Sequence, residues 1–328
     1  MTEELGSSGL RIGIVGCGGI GKTHLQAYRA NGVRPVALAE ANPDALAAAR
    51  AEYGGQPFTD YREMFASTSL DAVSVCTPPA VHRQVAEAAL AAGAAVLCEK
   101  PLAPTVEECE SMAAAAERAG RLLSVGFCHR FQPHIEQLRD MAAGGALGTI
   151  LMFRNRFAGH LPGVEHTWFS RPEVAGGGVM FDTCVHSVDL FRYFVGEPEQ
   201  VQAIAAATAS ELGPALEVED SAIITLRTAR GVLGVIEASW RTPPGEWNVT
   251  LYGTAGTATV DYGANELRVQ LAAVSAWHVV GVPPGNRFER EIAHFLDCVR
   301  GAATPRVTAR DGVAATRILA AAYASCAG

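Results

Sequence analysis

The chain has 328 residues, of which 49% are hydrophobic and 18% charged, and 26 Lys and Arg against 34 Asp and Glu leave a net charge of −8. That is more chain than one compact core uses and suits two domains, and the hydrophobic share excludes a disordered polymer. The acidic balance argues against nucleic acid as the main ligand.

Glu3 and Glu4 stand where a secretory leader would carry base, so a soluble, cytoplasmic protein is expected. Residues 10–15 form a short β-branched run that enters Gly16-Cys17-Gly18-Gly19-Ile20-Gly21, with a helix predicted over about 23–31 and Gly32 as its stop. Residues 33–39 read as a strand ending at Glu40, and Asn42-Pro43-Asp44 starts an alanine-rich helix that reaches about Tyr53. A strand over 70–76 runs into Thr77-Pro78-Pro79, followed by a helix over 81–92, a strand over 95–98, a helix over 106–119 and a strand over 122–125. The apolar run over 88–98 is broken by Gly93 and is too short to cross a bilayer. Apolar strands without alternation, separated by helices, predict a parallel sheet covered on both faces.

The second half changes rhythm. A helix near 133–143, a strand over 150–157, a loop rich in Gly, Pro and His, and Gly176-Gly177-Gly178 lead to a helix over 181–194. Strand-like runs at 218–227, 232–240, 247–252 and 257–261 predict a mostly antiparallel sheet, and helices near 288–300 and 309–325 close the chain. The expected fold is α/β: a doubly wound parallel sheet over 1–127, then an α+β domain with an open, mostly antiparallel sheet over 128–328, its last helix free to pack back on the first domain.

Gly16-x-Gly18-x-x-Gly21 after a strand and before a helix is a dinucleotide cradle. The first glycine makes the turn, the second lets backbone approach a pyrophosphate, and the third lets helix and strand pack. Glu40, at the end of the second strand, is placed to accept hydrogen bonds from ribose hydroxyls and to repel a 2′-phosphate, which favours NAD over NADP. Thr77-Pro78-Pro79 reaches the same carboxyl edge of the sheet. His82 either touches the dinucleotide or sits in the first turn of a helix. Glu99-Lys100-Pro101 ends the next strand, so Lys100 is either an amine delivered to the cofactor cleft, suited to bond an oxygen that becomes alkoxide-like, or a surface partner of Glu99.

In the helix after the glycine triplet, Asp182, His186 and Asp189 recur at i, i+4 and i+7 and share one stripe. A carboxylate one turn before a histidine can accept its ring N–H and leave the other nitrogen as general base. The glycine triplet would let backbone pass close to a ligand. His160, His166, Asp182 and His186 match no recognised metal spacing, and no metal is expected. The eight cysteines (Cys17, Cys76, Cys98, Cys109, Cys128, Cys184, Cys298 and Cys326) contain no C-x-x-C and read as reduced thiols, mostly small core hydrophobes.

Taken together, the glycine loop, Glu40, Cys76-Thr77-Pro78-Pro79 with His82, Glu99-Lys100-Pro101, Gly126-Phe127-Cys128-His129-Arg130-Phe131 and Gly176-Gly177-Gly178 with Asp182 and His186 resemble the glucose–fructose oxidoreductase/inositol dehydrogenase (Gfo/Idh/MocA) family along nearly the whole chain. The resemblance implies a Rossmann domain, and a C-terminal domain whose open sheet makes dimers or tetramers. It also implies NAD(P)-linked oxidation or reduction at a carbinol of a sugar, sugar derivative or cyclitol. It implies Lys100, Asp182 and His186 as catalytic residues acting on one alcohol, with Lys100 and His186 able to exchange roles. It implies Gly16, Gly18, Gly19, Ile20, Gly21, Glu40, Cys76, Thr77, Pro78, His82, Glu99 and Lys100 as cofactor contacts. His129, Arg130, Trp168 and Phe169, with His160 and His166, are candidates for the sugar pocket, although Trp168 also suits a core and Arg130 a structural role. The same resemblance leaves room for a relative that recycles NAD through hydrolysis, elimination or epimerisation, and for a non-catalytic NAD-sensing regulator; loss of Lys100 or His186 would signal the latter, and both are present.

Overall fold

The computed structural model describes residues 9–326, so the acidic start at Glu3 and Glu4 lies outside the described residues. The chain divides into two compact units. One holds the chain up to Cys128 together with Asn286–Ala314, and the other holds His129–Gly285 and the chain from Ala315 onward.

In the first unit, β1 (Ile12–Val15), β2 (Ala37–Ala39), β3 (Gln56–Phe58), β4 (Ala72–Val75), β5 (Ala95–Cys98) and β6 (Leu123–Val125) form one parallel sheet in the order β3-β2-β1-β4-β5-β6. Helices α1 (Gly19–Ala30), α2 (Pro43–Tyr53), α3 (Tyr61–Ser67), α4 (His82–Ala91) and α5 (Val106–Ala119) connect them. Every residue of β1, β4 and β5 is buried, as the unbroken apolar runs require when helices cover both faces. Asn42 caps α2 by accepting from the Asp44 and Ala45 N–H groups, and Thr105 caps α5 through the Glu108 N–H. Two elements of this unit escaped the sequence reading. Gln56–Phe58 is a three-residue edge strand with Pro57 at its centre, and Tyr61–Ser67 is too short to show a period.

In the second unit come α6 (Pro133–Ala143), β7 (Ile150–His160), α7 (Pro172–Ala175), a π-turn (Met180–Cys184) and α8 (Val185–Val195). Then follow β8 (Pro198–Ala206), β9 (Ser221–Thr228), β10 (Leu233–Ser239), β11 (Arg241–Gly253), β12 (Gly256–Asp261), β13 (Glu266–Leu271) and β14 (His278–Val280). The eight strands run β14-β13-β12-β11-β7-β10-β9-β8, antiparallel at each step except the parallel pair of β7 and β10. Helix α8 packs on β7 and β10, and α6 on β12 and β13. One face is therefore covered, and β9 alternates buried Ala222, Ile224 and Leu226 with outward Ile223, Thr225 and Arg227.

The last two helices are α9 (Arg287–Val299) and α10 (Ala309–Cys326). The sequence boundary assigns α9 to the second domain; in the structure Asn286–Ala314 belongs to the first. Ile292, Phe295 and Leu296 of α9 share a core with Ile12, Ile14, Leu25, Tyr28 and Leu97. An amphipathic stripe shows that a helix has a buried face but not which core it meets. Among the described residues no helix is long and apolar enough to cross a membrane. Because Phe295 is buried in this shared core, Phe295→Ala is expected to destabilise the first unit by about 3–5 kcal/mol, read as an earlier transition in urea unfolding.

Candidate active site

In the first unit the carboxyl ends of β1, β2, β4 and β5 lie along one edge, and each is followed by a residue of the expected set. Gly16 turns the chain at φ 93°, and a Cβ there would come 2.6 Å from the Cys76 carbonyl. A Cβ on Gly21 would overlap the Gly16 carbonyl. Gly18 and Gly19 differ: a Cβ on either meets nothing within 4 Å. The loop is closed on its inner side and open on its outer side. Helix α1 begins there with no side-chain cap and no acid in its first turn, so its N–H groups and positive end point at open space. This cradle fits a dinucleotide pyrophosphate.

Glu40 follows β2, and each of its oxygens takes one backbone N–H, from Cys17 at 2.7 Å and from Asn42 at 2.8 Å. The carboxylate is thereby oriented by the glycine loop while lone pairs remain for ribose hydroxyls. Burial and, second, the Glu40 charge push the Cys17 thiol up to about 12, so it stays protonated.

Three of the expected cofactor contacts have side chains engaged inside the unit. His82 is fully buried as the first residue of α4, with Nε2 2.7 Å from the Thr77 carbonyl and Nδ1 2.9 Å from the Pro101 carbonyl. Its pKa is lowered by burial, and the neutral ring donates to one of these two carbonyls and packs against the other. The Cys76 side chain is buried next to His24. Glu99 turns inward, and its Oε1 lies 2.8 Å from His24 Nε2 while its Oε2 accepts the Lys100 N–H at 3.1 Å. Burial opposes charge on both members, but they stabilise each other. Desolvation pulls His24 down, yet Cys76 and Glu99 hold it up at about 10, and the same contact keeps Glu99 below its ordinary value. Lys100 is half-buried at the strand end. The sequence carries a sharper signal for it than strand position, because Lys22 and Lys100 are its only lysines. Every other permanent cation is arginine, which cannot give up its proton.

In the second unit Asp182 lies within the π-turn and His186 at the start of α8, so the predicted continuous α-helix is widened between them. Glu219 accounts for the irregular start. Its carboxylate accepts the Met180 N–H at 2.9 Å, the Gly178 N–H at 3.1 Å and the Tyr323 hydroxyl at 2.6 Å. Burial and Glu219 push the Tyr323 phenol up, so it remains the donor. The glycine triplet serves this clamp: a Cβ on Gly178 would overlap the Glu219 carbonyl, and one on Gly177 the Tyr323 hydroxyl. Asp182 accepts from Thr183 Oγ1 at 3.2 Å. His186 is buried, its ring 4.5 Å from that of His129, and His129 Nδ1 lies 2.7 Å from the Tyr262 hydroxyl. Phe157 backs His129 at 5.0 Å and stacks on Trp247 at 4.6 Å. Tyr262, Glu219 and Tyr323 were missed in the sequence, because contacts across more than a hundred positions leave no local pattern.

Asp189 leaves the predicted stripe. It is buried and takes both Nε and Nη2 of Arg130, at 2.8 and 2.5 Å, while the guanidinium sits 5.1 Å over the Tyr193 ring. The Arg130 fork is engaged by Asp189 inside the unit, which supports the structural role. The His166 side chain is 84% exposed and does not join the cluster. Trp168 and Phe169 stack on each other at 4.0 Å, with Phe169 edge-on to Trp240, and His160 ends β7 half-buried.

Comparison with known proteins bears on the family and the fold. Residues 10–127 match a family model described as an oxidoreductase family with an NAD-binding Rossmann fold, and residues 135–259 match the GFO/IDH/MocA C-terminal domain. The 1,5-anhydro-D-fructose reductase of Ensifer adhaerens is 31% identical over 92% of this chain and 92% of that protein. An inositol 2-dehydrogenase of Rhizobium meliloti (strain 1021) is 29% identical over 97% of each. A levoglucosan dehydrogenase solved with NADH and levoglucosan superposes with a TM-score of 0.89 at 26% identity, covering 97% of both chains.

Two outcomes test the supports. Arg130→Ala leaves Asp189 buried without its partner and is expected to cost about 3–5 kcal/mol in denaturant unfolding; a variant of wild-type stability with only a raised KM would restore the sugar-contact role. The His24–Glu99 pair predicts a pH signature. Raised His24 stabilises fully below its ordinary 6.5 and loses that contribution as pH climbs through about 10, and lowered Glu99 contributes above its ordinary 4.5. The Tm deficit of His24→Asn is therefore expected to be largest between pH 4.5 and 6.5 and to shrink toward pH 10.

Proposed function

This chain belongs to the Gfo/Idh/MocA family of NAD-dependent sugar and cyclitol oxidoreductases, and from that premise we propose that it is a dehydrogenase of a secondary alcohol on a sugar, sugar derivative or inositol-like ring. The observation that carries the reading is the shared sheet edge, where the glycine cradle after β1, Glu40 after β2 and Lys100 after β5 are delivered together.

Bound NAD supplies the acceptor for the hydride that leaves the carbinol carbon. Gly16 to Gly21 hold its pyrophosphate and Glu40 its ribose hydroxyls, with the Thr77-Pro78 backbone as a wall. Lys100 donates a hydrogen bond to the substrate oxygen and stabilises the negative charge that grows there. His186 takes the hydroxyl proton, with the Asp182 carboxylate on the preceding turn, so that alcohol goes to ketone with one hydride and one proton accounted for. His129, fixed by Tyr262, with Trp168 and Phe169, presents donors and aromatic faces to a polyhydroxylated ring. The Glu40 charge, with Ala41 beside it, favours NAD over NADP. In this reading the enzyme works in the cytoplasm as a homo-oligomer, dimer or tetramer. The outward face of the eight-stranded sheet, where Ile204 is 78% exposed beside its cross-strand partner Ile223, supports that association.

A panel of sugars, inositols and sugar derivatives, read by absorbance of the reduced cofactor, is expected to find at least one substrate that releases NADH stoichiometrically. Turnover without NADH accumulation would instead indicate a recycling hydrolase or epimerase. With that substrate, Lys100→Ala and His186→Ala are each expected to lower kcat about 10²–10⁴-fold. Glu40→Ser is expected to shift the NAD-to-NADP ratio of kcat/KM about 10–100-fold toward NADP, the worth of one charged hydrogen bond.

A further inference from the structure

We propose that Tyr323, close to the end of the last helix, is a positioning residue for His186: through the Glu219 carboxylate it fixes the turn on which Asp182 and His186 stand. The inference rests on the catalytic reading of His186 but is measurable without it.

The first N–H groups of a helix have no partner inside it, and a local Ser, Thr, Asp or Asn side chain ordinarily takes them. The run that enters this helix is Gly176-Gly177-Gly178-Val179, which offers no side-chain acceptor. Glu219, just before β9, fills that role from 41 positions away. Its carboxylate accepts the Gly178 and Met180 N–H groups, and its backbone carbonyl accepts the Val179 N–H at 2.9 Å. One residue thus holds three consecutive amides. The Asp182 N–H then donates to the carbonyl of the clamped Gly178 at 3.0 Å, and His186 follows one turn later.

A glutamate side chain is flexible, so this clamp is only as fixed as its carboxylate. Oε1 receives the Gly178 and Met180 N–H groups and also the Tyr323 hydroxyl, whose 2.6 Å contact is the shortest of the three. Tyr323 is itself set in place. Its ring lies 5.5 Å from that of Phe181, the buried neighbour of Asp182. The helical turn that carries it is tied to β8, where the Ala203 N–H donates to Ser325 Oγ at 2.8 Å. Glycine at 177 leaves room for the hydroxyl, since a Cβ there would lie 2.2 Å from it. Tyr323 acts on the backbone that carries His186, so its loss displaces the imidazole instead of removing a reacting group.

In the full chain, Tyr323→Phe keeps the ring and removes the hydroxyl. It is expected to lower kcat about tenfold, as a displaced catalytic group does, while the NADH dissociation constant stays within about twofold. Gly177→Ala, which drives a Cβ into the place of the hydroxyl, is expected to reproduce the loss. Glu219→Gln keeps an oxygen for these donors and is expected to hold kcat within about threefold, whereas Glu219→Ala loses about a hundredfold. Equal kcat in the Gln and Ala variants, or wild-type kcat in folded Tyr323→Phe, would overturn the proposal. Without a substrate the imidazole itself decides. With ¹³C-labelled histidine, and His186→Gln to pick out its signal among nine, Tyr323→Phe is expected to move the His186 signal more than those of His24 and His82. An unmoved His186 signal overturns it. If the variants fold poorly, amide exchange in wild type decides: slow exchange at Gly178, Val179 and Met180 supports the clamp, and the rate of an open loop overturns it. A moved His186 signal in a protein that oxidises no polyol upholds the positioning and removes the catalytic reading. Polyol oxidation that needs His186 but is indifferent to Tyr323 does the reverse.

Discussion

The first unit depends on a constraint of parallel sheets: strands that run the same way deliver their following residues to one edge. β1, β2, β4 and β5 end side by side, so Gly16, Glu40, Thr77 and Lys100 become neighbours although they are far apart along the chain. Regular hydrogen bonding stops at that edge, which leaves backbone N–H groups and turns free to take a ligand. The glycines then divide the work by position. Gly16 and Gly21 let backbone close up inside, and Gly18 and Gly19 leave the outside open.

A second theme is the pairing of buried charge. Glu99 is held by His24, Asp189 by Arg130, and Asp220 by Arg241, whose remaining donors take the Leu212 and Pro214 carbonyls. Glu219 takes two backbone N–H groups and a phenol. Each carboxylate fixes a segment that has no regular structure to fix it. Glu99 holds the turn bearing Lys100, Asp220 the loop before β9, and Glu219 the start of the helix bearing His186. Such pairs add little net stability, but removing one partner strands the other, so they impose geometry more than they add strength. That is the property a catalytic residue requires of its surroundings.

Much of this was legible in the sequence. Hydrophobic run length, Gly and Pro punctuation and caps located most elements of the first unit, and strand-before-helix context located the cradle and Glu40. Lys100, Asp182 and His186 stand out in the sequence because strand ends and helical spacing are local properties. The pairing of Asp189 with Arg130 could not be read, because a stripe on a helix shows which residues share a face, not what that face meets. His82 and Glu99 lie at the right edge of the sheet, but their side chains turn inward, and the direction of a side chain depends on neighbours contributed by other elements.

By itself, then, the order of residues determined the elements, the two-part architecture and the ligand edge, since those follow from periodicity and chain sense within a few dozen residues. Only the tertiary structure decided that α9 completes the first core, that the glycine triplet receives Glu219 and Tyr323, and that His24 is the partner of Glu99. Those pairings join residues that the chain holds tens to more than a hundred positions apart. Shape and charge select them only when the whole core packs.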